Sequence, residues 1–183
     1  MPLPQENRST IEDYYNMPDH IHAELIHGQF YNMAPPNRIH QKISLKLSNM
    51  IDSYINAKKG NCEVYAAPFS VQLDDNDPTI VEPDISVICD TSKLNERGCI
   101  GAPDWIIEIV SPSSIKHDYI TKLWLYANAG VREYWIVDPQ TKEVHIYHLE
   151  HSDFIAKNYT FHDVIKVGIY EDFSIDFVSL ELS

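Results

Sequence analysis

Apolar and polar positions alternate most clearly between Trp105 and Val110. There Trp105, Ile107 and Ile109 take one face of an extended segment, and Ile106, Glu108 and Val110 take the other. Glu108 shares its face with two aliphatic neighbours, so its carboxylate needs a cation or hydrogen-bond donors to offset burial. Ser111-Pro112 should end this strand, because proline lacks the ladder donor and holds its predecessor extended. Ser113 or Ser114 then suits the N-cap of a following helix, from about residue 115 to Ala129, that stops at Gly130. Earlier in the chain, a short helix is expected over Thr10–Asn16 and a hairpin over Ala23–Met33, with His27-Gly28 at its turn. His40, Ile43, Leu47, Ile51 and Tyr54 recur at three- and four-residue steps and predict a helix from about Arg38 to Lys58, closed by Lys58-Lys59-Gly60.

Strand composition returns over 62–73, with a bend or edge at Pro68, and over 80–89. Between them lies an acidic loop at 74–78. Residues 90–102 read as loop. Glu133–Val137 and Val144–Leu149 read as a hairpin across Asp138-Pro139, with Asp138 a turn residue. The tail from 153 to 182 reads as two or three short strands. Strands alternating with two substantial helices predict an α/β or α+β fold with a mixed sheet, in one domain whose core spans about 20–150.

Composition narrows the classes. Neither apolar nor charged content is extreme, at 44% and 22%, which excludes a disordered chain. No apolar run nears the roughly 20 residues of a bilayer span. The first residues carry no apolar signal core, and Cys62, Cys89 and Cys99 are odd in number with no Cys-x-x-Cys. Reduced thiols and a cytoplasmic location are the expectation. The net charge of −13 argues against a broad basic surface for nucleic acid and suits sites that gather metal cations.

Pro83-Asp84 supplies a second carboxylate, with Asp84, Ser86 and Ile88 on one face. If that strand pairs with the Trp105–Val110 strand, Asp84 and Glu108 lie side by side. Two such carboxylates repel, raise a pKa or recruit a cation, and oxygen ligands of this kind suit Mg²⁺ or Mn²⁺.

These residues, in this order, resemble the PD-(D/E)XK nuclease superfamily, and more specifically the bacterial restriction-endonuclease-like family of Uma type. The matching pieces begin with the hairpin Glu24-Leu25-Ile26-His27-Gly28-Gln29, His40 opening the first long helix, and Pro83-Asp84. They continue with Glu108-Ile109-Val110-Ser111-Pro112-Ser113, then Asp118, Lys122 and Tyr126 on a helix, and end with residues 130–139. The resemblance implies a restriction-endonuclease-like mixed sheet flanked by helices, with an N-terminal hairpin and extra C-terminal strands. It implies a Mg²⁺- or Mn²⁺-dependent endonuclease acting on DNA, in which Asp84, Glu108 and the Ile109 carbonyl hold the metal. Where the superfamily carries a lysine in its strand motif this chain has Val110, so the resemblance moves that role to Lys122, with Lys116 as substitute. Glu24 joins the catalytic set, and His40, Asp118 and Tyr126 line the site. Periodicity leaves the direction of Lys122 open, because apolar residues surround most of its helix. Two rival functions stand beside this one: a silent nuclease-fold binding or assembly module, such as a homodimer, and a metal-dependent hydrolase of small phosphorylated molecules.

Overall fold

Thr10 opens the first helix, α1 (Ile11–Tyr15), through a capping box in which its hydroxyl and the Asp13 carboxylate satisfy each other's backbone amides. The computed structural model describes residues 8–18, 20–75, 77–112, 114–150 and 155–182. Next come β1 (Ala23–Ile26) and β2 (Gln29–Asn32), a hairpin turning at His27-Gly28, and the long helix α2 (Arg38–Lys58). Asn37 caps α2 by accepting from the His40 amide at 3.0 Å, and Lys59 ends it in the left-handed conformation one residue before the glycine expected there. The buried stripe is His40, Ile43, Leu47, Ile51 and Ile55.

The strand stretch at 62–73 divides at Pro68 into β3 (Glu63–Ala66) and β4 (Ser70–Gln72). That at 80–89 divides at Pro83 into β5 (Ile80–Val81) and β6 (Ile85–Ile88). Residues 90–102, expected as loop, hold a 3-10 turn and a small hairpin, β7 (Leu94–Asn95) and β8 (Gly98–Ile100). Polar composition hid this hairpin, which is built on backbone pairing and a glycine at φ 142°. β9 (Trp105–Ile109) is followed by a π-helical turn, His117–Lys122, that runs into α3 (Leu123–Ala129) and stops at a left-handed Gly130. β10 (Glu133–Asp138) and β11 (Glu143–His148) form the expected hairpin, and Asp138 accepts two turn amides. β12 (Ile155–Thr160), β13 (Val164–Lys166) and β14 (Ser174–Asp176) complete the tail, where residues 178–180 form a 3-10 turn rather than a strand. Ser113 and part of the 74–78 loop lie outside the described residues.

Two six-stranded mixed sheets result, with β13 and β14 as a separate antiparallel pair. One runs β12-β11-β10-β9-β6-β3 and the other β2-β1-β5-β4-β8-β7. The single parallel pair of the first sheet, β9 with β10, needs a crossover, and the helical segment 115–129 provides it. Both faces of β9 and β10 are covered, which is why every residue in them is buried. One face packs Trp105, Ile107 and Ile109 against the apolar stripe of α2 and the C-terminal Phe161, Ile175 and Phe177. The other packs Ile106, Val110, Tyr134 and Ile136 against α3 and against Ile26, Val71 and Val81 of the second sheet. Glu108 lies on this second face, as the alternation requires.

Cys62 and Cys89 form a disulfide, which corrects the expectation of reduced thiols; Cys99 is free and buried. The antiparallel register Glu63↔Ile88 sets the two cysteines opposite one another, although 27 residues separate them in sequence. The thiol argument for a cytoplasmic location falls with it. Among the described residues no helix is long and apolar enough to cross a membrane.

Candidate active site

β6 and β9 pair antiparallel with Ile85 opposite Ile107, so one step further Asp84 stands opposite Glu108. The two acids expected to meet do meet. The Asp84 amide points to Glu108 Oε2 at a long 3.4 Å, and Asp84 Oδ2 accepts from the Ile109 amide at 2.7 Å. His40, in the first turn of α2, places Nε2 3.1 Å from the same Oδ2, while its buried Nδ1 has no partner among the described residues. If Nε2 carries the proton and donates to Asp84, the unpaired Nδ1 is an acceptor, and no donor is stranded.

Glu24 enters from β1. Its Oε1 accepts from the Glu82 amide at 3.0 Å and lies 2.9 Å from Lys122 Nζ, while Oε2 is 3.2 Å from His117 Nε2. Lys122 Nζ also donates to Glu108 Oε1 at 2.9 Å and has Asp118 Oδ1 at 3.8 Å. Tyr126 donates to Glu108 Oε1 at 2.7 Å, and Tyr134 donates to the Asp118 carbonyl at 3.1 Å. Lys122 faces the sheet and is 4% exposed, whereas Lys116 lies exposed on the surface.

The π turn explains why periodicity left that direction open. In a regular α-helix, residues four apart drift by about 40° around the axis. A π turn takes up an extra residue and sends the drift backwards, so Asp118, Lys122 and Tyr126 stay on one side. Ser114 fixes the entry to this segment, accepting from the Ser111 amide at 3.0 Å and receiving the Asp118 amide on its carbonyl at 2.9 Å.

Three carboxyls thus surround one ammonium, and Asp84 stands on the far side of Glu108. Burial alone would strip Lys122 of its proton, but Glu108, Glu24 and Asp118 more than reverse this and hold it charged, well above its ordinary value. Burial would likewise raise Glu24. The Lys122 charge, with hydrogen bonds from His117, Lys122 and the Glu82 amide, instead brings it down to about 2. Glu108 is the acid that yields. Burial pushes it well up against the pull of Lys122, and Asp84, Asp118 and Glu24 push the same way. Asp118 is also raised by burial. The cluster has a surplus of negative groups.

The donor set suits a hard divalent cation at one place. Among the described residues no three His, Cys, Asp or Glu side chains are placed to hold a metal together, because Lys122 occupies the middle of the Glu24, Glu108 and Asp118 group. Asp84 and Glu108 remain as a pair. Among the described residues, Asp84 Oδ1 makes no hydrogen bond, Glu108 Oε2 meets only the distant Asp84 amide, and the fully buried Ser86 Oγ on the same strand face has no partner. Mg²⁺ commonly binds through one or two carboxylates and keeps several waters, which matches this pair.

The sequence pattern of the Uma2 family, described as "Putative restriction endonuclease", matches residues 11–177, a span that contains both sheets and every residue of the cluster. The chain belongs to the Uma2 family. An uncharacterized Synechocystis protein, slr1290, is 28% identical over 158 residues, covering 85% of this chain and 82% of its own length. A crystal structure titled as a putative nuclease from Anabaena variabilis superposes with a TM-score of 0.75, covering 93% of this chain and 98% of that one. At 20% identity it shows a shared fold. The Uma2 fold accordingly brings Glu24, His40, Asp84, Glu108, Ile109, Asp118, Lys122 and Tyr126 to one place. His117 joins them without any sequence signal: its partner Glu24 is 93 residues away, and no metal-ligand spacing marks it.

Proposed function

We propose that this Uma2 protein, acting as one domain, hydrolyses phosphodiester bonds in DNA with Mg²⁺ or Mn²⁺. The observation that supports it most is the register that sets Asp84 opposite Glu108 with Lys122 on the same carboxylate. Asp84 and Glu108 would hold the metal, with the Ile109 carbonyl as a further ligand. When bound, the cation supplies Lewis acidity and charge compensation for the pentacoordinate transition state. Lys122 orients the attacking water and, with Glu108 accepting from it and from Tyr126, stays fixed in direction. Glu24 holds Lys122 charged and in place. His40 keeps the Asp84 carboxylate turned toward Glu108.

Supercoiled plasmid and circular single-stranded DNA, incubated with Mg²⁺ or Mn²⁺, test this directly. Wild-type protein should cleave, and Glu108→Ala or Asp84→Asn should lose roughly 100- to 1000-fold, the scale of removing a group that stabilises transition-state charge. Cleavage unchanged in Glu108→Ala overturns the mechanism.

The net charge of −13 favours one rival, a binding or assembly module of the same fold. Calorimetric titration with Mn²⁺ separates them, since the hydrolytic reading requires binding that Asp84→Asn abolishes.

A further inference from the structure

Beside the carboxylate cluster the protein exposes aromatic side chains to water. Tyr31, the cross-strand partner of Glu24, shares that residue's face of the hairpin and is 41% exposed. Its ring lies against His117, centroids 5.2 Å apart, and His117 in turn bonds Glu24. Further along, Trp124 is 60% exposed, with its ring 6.2 Å from that of His27 at the hairpin turn. Asp77 holds His27 by Nδ1 at 2.7 Å, which leaves Nε2 without a partner among the described residues. Two ring-and-imidazole pairs therefore bridge the hairpin and the helical segment, and the first of them touches the candidate site.

We propose that this ledge binds a single-stranded nucleic acid as it enters the site, with bases stacked on Tyr31 and Trp124 and the His27 and His117 imidazoles facing the backbone. The proposal rests on the phosphodiesterase reading and names the form of substrate that reading leaves open. Three observations carry it. The ledge is continuous with the cluster through Glu24. Lys122 is already held by three carboxylates and the chain carries −13, so attraction of phosphates by a basic groove, the usual source of affinity, is weak here. Flat rings bind any base by its face, a mode open to single strands and closed in a stacked duplex. A second copy of the chain is a poor occupant. The two rings with exposed Ile120 fall far short of the roughly 20–30 residues a side of a stable interface.

The test uses fluorescein-labelled dT12 and a duplex of the same length, with Ca²⁺ replacing Mg²⁺, read by anisotropy and by quenching of tryptophan emission. The single strand should bind more tightly than the duplex. Trp124→Ala and Tyr31→Ala should each weaken it by roughly 5- to 100-fold, the range of one base–aromatic stack. Raising salt from 50 to 200 mM should cost less than about tenfold, against the 10³ or more of a protein making many phosphate contacts. Equal binding of duplex, unchanged affinity in both alanine variants, or sedimentation as a dimer whose dissociation follows Trp124→Ala would overturn the ledge. Mn²⁺ calorimetry keeps the two readings apart. Metal binding that depends on Asp84, without oligonucleotide binding, removes the ledge and spares the hydrolytic reading. Ring-dependent oligonucleotide binding without metal binding does the reverse.

Discussion

Lys122 is the residue on which the cluster balances. Its ammonium is the shared partner of Glu24, Glu108 and Asp118, and removing one member of a buried ion pair is far costlier than never having built it. Lys122→Met should therefore lose on the order of 3–5 kcal/mol of stability in urea titrations, with millimolar Mn²⁺ restoring part of it. A loss below about 1 kcal/mol would mean that the acids are neutral without the lysine. Glu24 provides a pH handle. Its carboxyl is held at about 2 against an ordinary 4.5, so the stability it contributes is complete above about pH 4.5 and disappears as the pH falls toward 2. Glu24→Gln should flatten the decline of Tm across that window, and parallel curves for the two proteins would show that the ion pair contributes nothing. Glu108, raised by burial, works in the opposite sense: it favours the folded state less as the pH climbs past the ordinary carboxylate range. At this scale the sequence was legible where a residue broke its surroundings. Glu108 stood out in an apolar strand and Asp84 stood after a proline. His117 did not stand out, because nothing near it in the chain reveals a partner on a distant hairpin.

Among the elements, α2 was the most legible, since its buried stripe keeps one helical period from His40 to Ile55. Leu47, at the centre of that stripe, is fully buried, while Leu45 two positions earlier is 63% exposed. Leu47→Ala should cost about 2–5 kcal/mol and Leu45→Ala less than about 0.5 kcal/mol, by denaturant unfolding. Comparable losses would refute the packing of α2 on the central sheet. The segment 115–129 was legible only as a helix. Its π turn breaks the period on which any facing argument depends, and no residue type marks an inserted residue. The hairpin at 94–100 escaped for a related reason: its strands are two and three residues long and pair through backbone groups that carry no composition.

On the scale of the whole molecule, the order of elements announced a mixed sheet, but not that the chain passes between two six-stranded sheets at Pro68 and Pro83. That division brings β1, and with it Glu24, across the face of β9. The Cys62–Cys89 bridge was invisible for the same reason, since pairing of distant strands decides which cysteines meet. Closing a loop of about 27 residues, it should contribute roughly 3–4 kcal/mol by restricting the unfolded chain. Dithiothreitol should lower Tm accordingly, and Cys62→Ser should abolish that response. A Tm indifferent to reductant would count against the bridge.

The parallel pairing of β9 with β10 has one more consequence. Glu108 and Lys122 leave the ribosome before Trp135 and Val137 do, and the crossover helix has no complete seat until those later residues flank β9. A nascent or prematurely terminated chain carries all its acids yet cannot clasp them around the ammonium. A copy that ends before Glu133 should therefore lack the assembled cluster.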